Sequence, residues 1–211
     1  YFGFRTDKIT YVGNSHYSNE EMTSRIFGND TPNTVLYTLF GNKKKTIPFI
    51  QKYDVEIQWP RGMYITVYEK AVIGYIRYMG CNMYFDKDGI VVESSTQELE
   101  GIPQISGVTF DSLAIHQPLS VEDPTIFDTI LSITKLLTKY NLDPDEIRFG
   151  AGGELFLQLG DVKVALGTGE NLDEKISRLK QLEGDLKDKS GTLHMENYTD
   201  ETTHISLESA K

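Results

Sequence analysis

The chain has 211 residues, 39% hydrophobic and 11% aromatic, enough apolar material for a core in one domain or two. Its formal net charge of −10 is unevenly placed: residues 1–70 carry 9 Lys/Arg and 7 Asp/Glu, residues 71–211 carry 12 and 24. That acidic majority excludes a nucleic-acid binder, a single cysteine (Cys81) excludes an internal disulfide or a Cys-based zinc cage, and no apolar run approaches the ~20 residues of a membrane helix. The chain opens at Tyr1-Phe2 with neither an initiator Met nor a signal peptide, as expected of a processed form or a piece of something longer.

Lys8 to Val12 reads as a short strand ending at Gly13-Asn14. Ser18 and Glu21 form the two halves of a capping box, with Tyr17 and Met22 placed for a hydrophobic staple. The helix they open buries Met22, Ile26 and Phe27 and stops at Gly28. Pro32-Asn33 introduces a second helix with Val35, Leu36, Leu39 and Phe40 at helical spacing, interrupted by Gly41-Asn42. Lys43-Lys44-Lys45 reads as a solvated helix end, and Ile47 to Ile50 as a further helical turn. Val55, Ile57 and Trp59 then alternate, as do Met63, Ile65 and Val67 beyond Pro60-Arg61-Gly62, which predicts a hairpin with one face of each strand on a core. The order strand–helix–helix–strand–strand predicts an α+β module over residues 1–70, a three-stranded sheet with two helices on one face.

A second module is expected over residues 71–211, a mixed β domain with two helices. Val72 to Met79 and Met83 to Val92 are strand-rich and joined through Gly80-Cys81-Asn82. Asp86-Lys87-Asp88-Gly89 is a turn; it has too few carboxylates for a calcium loop. Pro103 lies in an extended segment. Asp123 caps a helix that carries Pro124 at its first position and a wide apolar face from Ile126 to Tyr140. Ile147 to Phe149, then Leu155-Leu157-Leu159 and Val162-Val164-Leu166 around Gly160-Asp161, are strands. Asn171 and Glu174 stand at capping-box spacing before a helix that buries Leu172, Ile176, Leu179, Leu182 and Leu186. Two strands finish the chain, Thr192 to Tyr198 and Thr203 to Leu207.

The first module resembles a POTRA domain, and more narrowly that of the bacterial division proteins FtsQ and DivIB. The residues carrying the resemblance are Phe4-Arg5-Thr6-Asp7-Lys8-Ile9-Thr10-Tyr11-Val12-Gly13-Asn14, Tyr17-Ser18-Asn19-Glu20-Glu21, Pro48-Phe49-Ile50, Val55, Trp59-Pro60 and Ile65-Thr66-Val67-Tyr68-Glu69. Tyr11 departs from the family pattern by shifting the strand one residue. The second module continues the likeness with Asp86-Lys87-Asp88-Gly89-Ile90-Val91, Ile102-Pro103-Gln104-Ile105-Ser106-Gly107 and Val164-Ala165-Leu166-Gly167, so the ordered set spans nearly the whole chain.

The resemblance implies a non-enzymatic extracytoplasmic scaffold of the divisome, anchored in the full-length protein by one membrane helix ahead of Tyr1 and located at the septum. Its implied partners are the FtsB/DivIC-like and FtsL-like proteins, bound by strand addition, with other divisome proteins meeting the POTRA module. Its partner site falls on the last strands: Thr192, His194, Glu196, Tyr198, Thr203, His204, Ile205, Ser206 and Leu207. There, His204, Ser206 and Glu208 alternate with Thr203, Ile205 and Leu207. The alternative is a POTRA-bearing assembly factor or chaperone for outer-membrane or secreted polypeptides.

No catalytic set, cofactor site or metal site is expected. Cys81 has no neighbouring base and reads as a packing thiol. His16, His116, His194 and His204 lack metal-ligand spacing, although His194 and His204 fall on adjacent strands. Gly150-Ala151-Gly152-Gly153 lacks the Gly-Lys-Ser/Thr ending of a phosphate loop and leads into a strand. Gly167-Thr168-Gly169, which does precede a helix, reads as a turn.

Overall fold

In the computed structural model the described residues are 6–28, 32–40, 45–110, 112–121, 124–201 and 204–209. The chain divides into two compact units, Tyr1–Lys70 and Ala71–Lys211, and it is α+β throughout, with four α-helices and two mixed sheets among these residues. Phe4, Arg5, Gly41-Asn42, Lys43-Lys44, Asp123 and Thr203, all named in the sequence reading, lie outside them.

The first unit runs β1 (Lys8–Val12), α1 (Asn19–Phe27), α2 (Thr34–Phe40), β2 (Ile50–Gln58) and β3 (Gly62–Glu69). The sheet order is β1-β3-β2, with β1 parallel to β3 and β2 antiparallel to it. A tight hairpin makes β2 and β3 antiparallel; the two helices supply the longer crossover that a parallel partner needs. Ser18 Oγ accepts from the Glu21 amide at 3.2 Å and the Glu21 carboxylate accepts from the Ser18 amide at 2.9 Å, so the capping box is complete. Tyr17 and Met22 are both buried beside it. Met63, Ile65 and Val67 of β3 are buried in alternation. Gly13, at φ 89°, packs so closely on β3 that a Cβ would lie 2.3 Å from the Val67 carbonyl oxygen. Just beyond it, the amides of Ser15 and His16 donate to the Glu69 carboxylate at the end of β3.

Three expectations for this unit need correction. Trp59 is 60% exposed rather than on the core face, because the ladder closes at Gln58↔Gly62 and Trp59 belongs to the turn, with a cis bond to Pro60. On α2, Leu36 and Leu39 face outward at 41% and 66% exposure, and Val35 is half-buried. Thr34 turns inward instead, its hydroxyl donating to the Pro60 carbonyl at 2.9 Å, while the Asn33 side chain accepts the Val35 and Leu36 amides. Those polar ties set the rotation of a helix too short for its apolar spacing to do so. Ile47 to Ile50 is a turn running into β2, because Phe49 sits at φ 62° and cannot continue a helix.

The second unit runs β4 (Gly74–Tyr78), β5 (Cys81–Phe85), β6 (Val91–Ser95), β7 (Gln104–Ser106), α3 (Pro124–Tyr140), β8 (Glu146–Phe149), β9 (Leu155–Leu159), β10 (Val162–Gly167), α4 (Leu172–Leu186), β11 (Gly191–His194) and β12 (Ser206–Ser209). They form one nine-stranded sheet in the order β12-β11-β10-β9-β8-β7-β4-β5-β6. Of the three parallel pairs in this sheet, β7/β8 and β10/β11 are bridged by α3 and α4, while β4/β7 is joined through β5 and β6. Ile130, Ile133 and Leu137 of α3 join Leu172, Ile176, Leu179 and Leu186 of α4 over one core that includes Ile105, Ile147, Leu157, Val164 and Leu193. The opposite sheet face is polar: Gln104, Glu146, Gln158, Lys163, Thr192 and Glu208 stand in register from β7 to β12.

The β4–β5 turn is Met79-Gly80, both at positive φ (49° and 82°), so Cys81 and Asn82 belong to β5 rather than to the joint. Asp86 closes the following turn, its carboxylate accepting the Asp88 and Ile90 amides. Gly150 leads into a single 3-10 turn, Ala151–Gly153, and then β9. Asn171 does not cap α4: it sits at φ 54°, makes no side-chain cap bond, and the Glu174 carboxylate accepts the Asp200 amide instead, so the expected capping box is absent. Among the described residues no helix is long and apolar enough to cross a membrane.

Candidate partner-binding edge

The two margins of the nine-stranded sheet differ. At β6, Val91 exchanges backbone bonds with the loop beside it, accepting from His116 and donating to Gln117. At the other margin β12 runs antiparallel to β11 with the pairs Thr192↔Glu208, Leu193↔Leu207 and His194↔Ser206, and no described strand lies outside it. An unpaired strand edge presents a row of backbone donors and acceptors.

The residues expected here are distributed unevenly. Thr192 and His194 lie on β11, half-buried on the polar face; Ser206 and Leu207 lie on β12, and His204 and Ile205 just precede it. Ile205 and Leu207 pack partly against the core, while His204, Ser206 and Glu208 are exposed. The strand expected from Thr192 to Tyr198 stops at His194. Met195 still donates to Ala165, but the chain then turns at Glu196-Asn197 with Tyr198 bonded back to Met195, and Tyr198 enters the core at 6% exposure. Glu196 therefore lies on a turn, and Tyr198 is core rather than edge. The last strand is likewise displaced from Thr203–Leu207 to Ser206–Ser209.

His194 and His204 were expected on adjacent strands; the His194 ring instead sits between two carboxylates. Its Nδ1 is 2.8 Å from Glu196 Oε1 and its Nε2 is 3.6 Å from Glu208 Oε2. The hydrogen bond to Glu196, with the Glu208 carboxylate assisting, raises its pKa above the ordinary histidine value. The charged ring thus ties the turn after β11 to β12. Because the folded value is the raised one, this contribution is full below the ordinary histidine pKa and fades as pH climbs through the folded value. Hydrogen exchange corrected for intrinsic rates is expected to show β12 amides better protected on the acid side of that window, and the pH effect to vanish in His194→Gln.

Beneath the edge lies a residue the sequence reading passed over. Lys175 is 2% exposed, and its ammonium donates to the Leu166 carbonyl at 2.7 Å and the Glu196 carbonyl at 2.9 Å. It therefore ties α4 to the end of β10 and to the turn that follows β11. Burial lowers its pKa, opposed by the nearby Glu170 and Glu196 charges. The signal was present: Lys175 falls three residues after Leu172 and four before Leu179, on the stripe that the apolar spacing marks as buried. Glu196 also carried a signal, since a His-x-Glu pair in extended backbone shares one face. Gly191 completes the arrangement. At φ 130° it lets β12 approach so closely that a Cβ would lie 2.0 Å from the Glu208 carbonyl oxygen.

Among the described residues no group of three or more His, Cys, Asp or Glu side chains is placed to hold a metal, and Cys81 is a half-buried free thiol. No protein-family model matches this chain, and no curated protein matches it either.

Proposed function

We propose that the chain is the extracytoplasmic part of an FtsQ/DivIB-type division protein, a POTRA domain followed by a β domain. It acts without catalysis as a scaffold at the bacterial septum. The observation that carries this reading is the short last strand β12 at the margin of the nine-stranded sheet, with no described strand beyond it. Such a margin suits the addition of a strand from an FtsB/DivIC-like partner with its FtsL-like mate, through which the scaffold would regulate septal peptidoglycan synthesis. Supporting it are the ordered sequence motifs and the β1-β3-β2 sheet of the first unit, with two helices between β1 and β2. In this reading a membrane helix anchors the full-length protein.

The test is a titration of the chain against the extracytoplasmic segments of the two partners, repeated on a chain truncated after Thr202. Binding lost on truncation supports strand addition at β12. Binding that survives moves the site elsewhere, and absence of any binding removes the mechanism.

A further inference from the structure

We infer that the strand received beside β12 carries a basic side chain next to Glu208 and, one residue away, an aliphatic side chain next to Leu207. This rests on the reading of β12 as a binding edge and adds which sequence the edge accepts. Leu207 stands opposite Leu193 and points to the helix-covered side, where it is only half covered. An aliphatic neighbour would extend that core outward. Glu208 points to the polar face opposite Thr192, with its side chain 81% exposed.

A strand laid along β12 would take some water away from that carboxylate, a cost that an opposite charge beside it offsets directly. The cationic group beside it is the His194 ring, at 3.6 Å, and the same ring bonds the Glu196 carboxylate more closely, at 2.8 Å. Two carboxylates share one imidazole, which is uncharged once deprotonated. Lys163, in register with Thr192 on the next strand inward, is committed elsewhere, its ammonium 4.0 Å from the Phe156 ring centre. Among the described residues no other cation pairs with Glu208, so a basic side chain on the incoming strand would supply the undivided one. Ser206, small and exposed, makes no comparable demand. The acidic balance of residues 71–211 also favours basic segments at longer range.

The experiment is a phage selection against the whole chain, using short extended segments with adjacent central positions randomised. The expected result is enrichment of Lys or Arg beside Ile, Leu or Val. Selection against Glu208→Lys, an exposed change whose folding circular dichroism verifies, should keep the aliphatic residue and replace the base by Asp or Glu. A peptide chosen on the wild type should bind this variant about tenfold more weakly. Enrichment indifferent to residue 208, recovery of the same peptides on the chain truncated after Thr202, or a selection that yields no binder would each overturn the inference. The titration with division-protein partners judges the broader reading independently, because it depends on loss of the strand and not on the charge at 208.

Discussion

Replacing Lys175 by Met should destabilise the second unit by about 3 kcal/mol, the cost of leaving one buried and one part-buried carbonyl without a donor. The side chain is 2% exposed, and both acceptors, the Leu166 and Glu196 carbonyls, lie within 2.9 Å of its ammonium. Met has similar length and fills the volume, so the loss reports the hydrogen bonds rather than a cavity. For a unit of this size the melting temperature should fall by on the order of 10 °C. Lys139→Met is the matched control: Lys139 pairs with Asp173 at 2.6 Å, but both side chains are more than half exposed, and its loss should change little. Because Lys175 holds the Glu196 carbonyl, its substitution should also loosen the turn before β12. Equal melting of Lys175→Met and the wild type would mean that other donors, such as water, reach both carbonyls.

Gly191→Ala should detach β12 while leaving the core of the second unit folded. A methyl group at this position meets the Glu208 carbonyl oxygen at 2.0 Å, and the φ of 130° disfavours any side chain. Both atoms of the clash belong to or sit directly on backbone, so no rotamer relieves it. The partner ladder Gly191↔Ser209 to His194↔Ser206 must open. Hydrogen exchange should show β12 unprotected, with β9 and β10 unchanged. Partner binding should drop to the level of the chain truncated after Thr202. Retained protection of β12 would show that the strand shifts outward and keeps its pairing.

The particular elements show what governs legibility. The Ser18–Glu21 box was readable because both halves of the interaction lie within one turn and need nothing from the rest of the chain. The same spacing at Asn171–Glu174 failed, since the chain leaves β10 through Gly167 and Gly169 and reaches α4 with Asn171 in the left-handed region. The alternation of Met63, Ile65 and Val67 was readable because period two and a central strand agree. Leu36 and Leu39 misled for the opposite reason: seven residues of helix are oriented by one inward threonine and one capping asparagine, not by their apolar spacing.

At the edge, the presence of two final strands was visible in the alternation, but their limits were not. Tyr198 looks like a strand residue in isolation, yet the unit offers it a place in the core, and the turn at Glu196-Asn197 takes it there. By itself the sequence determined the α+β class and the nature of most elements, which follow from periodicity and local turn chemistry, whereas the candidate edge came from the family resemblance. The tertiary structure decided which strand lies outermost, that His194 is shared by Glu196 and Glu208, and that Lys175 anchors the base of the edge. Those depend on the α4 crossover and on the antiparallel return of β12 beside β11, which bring together residues far apart in the chain; local spacing signals that Lys175 is buried and that His194 and Glu196 share a face, but not what they meet.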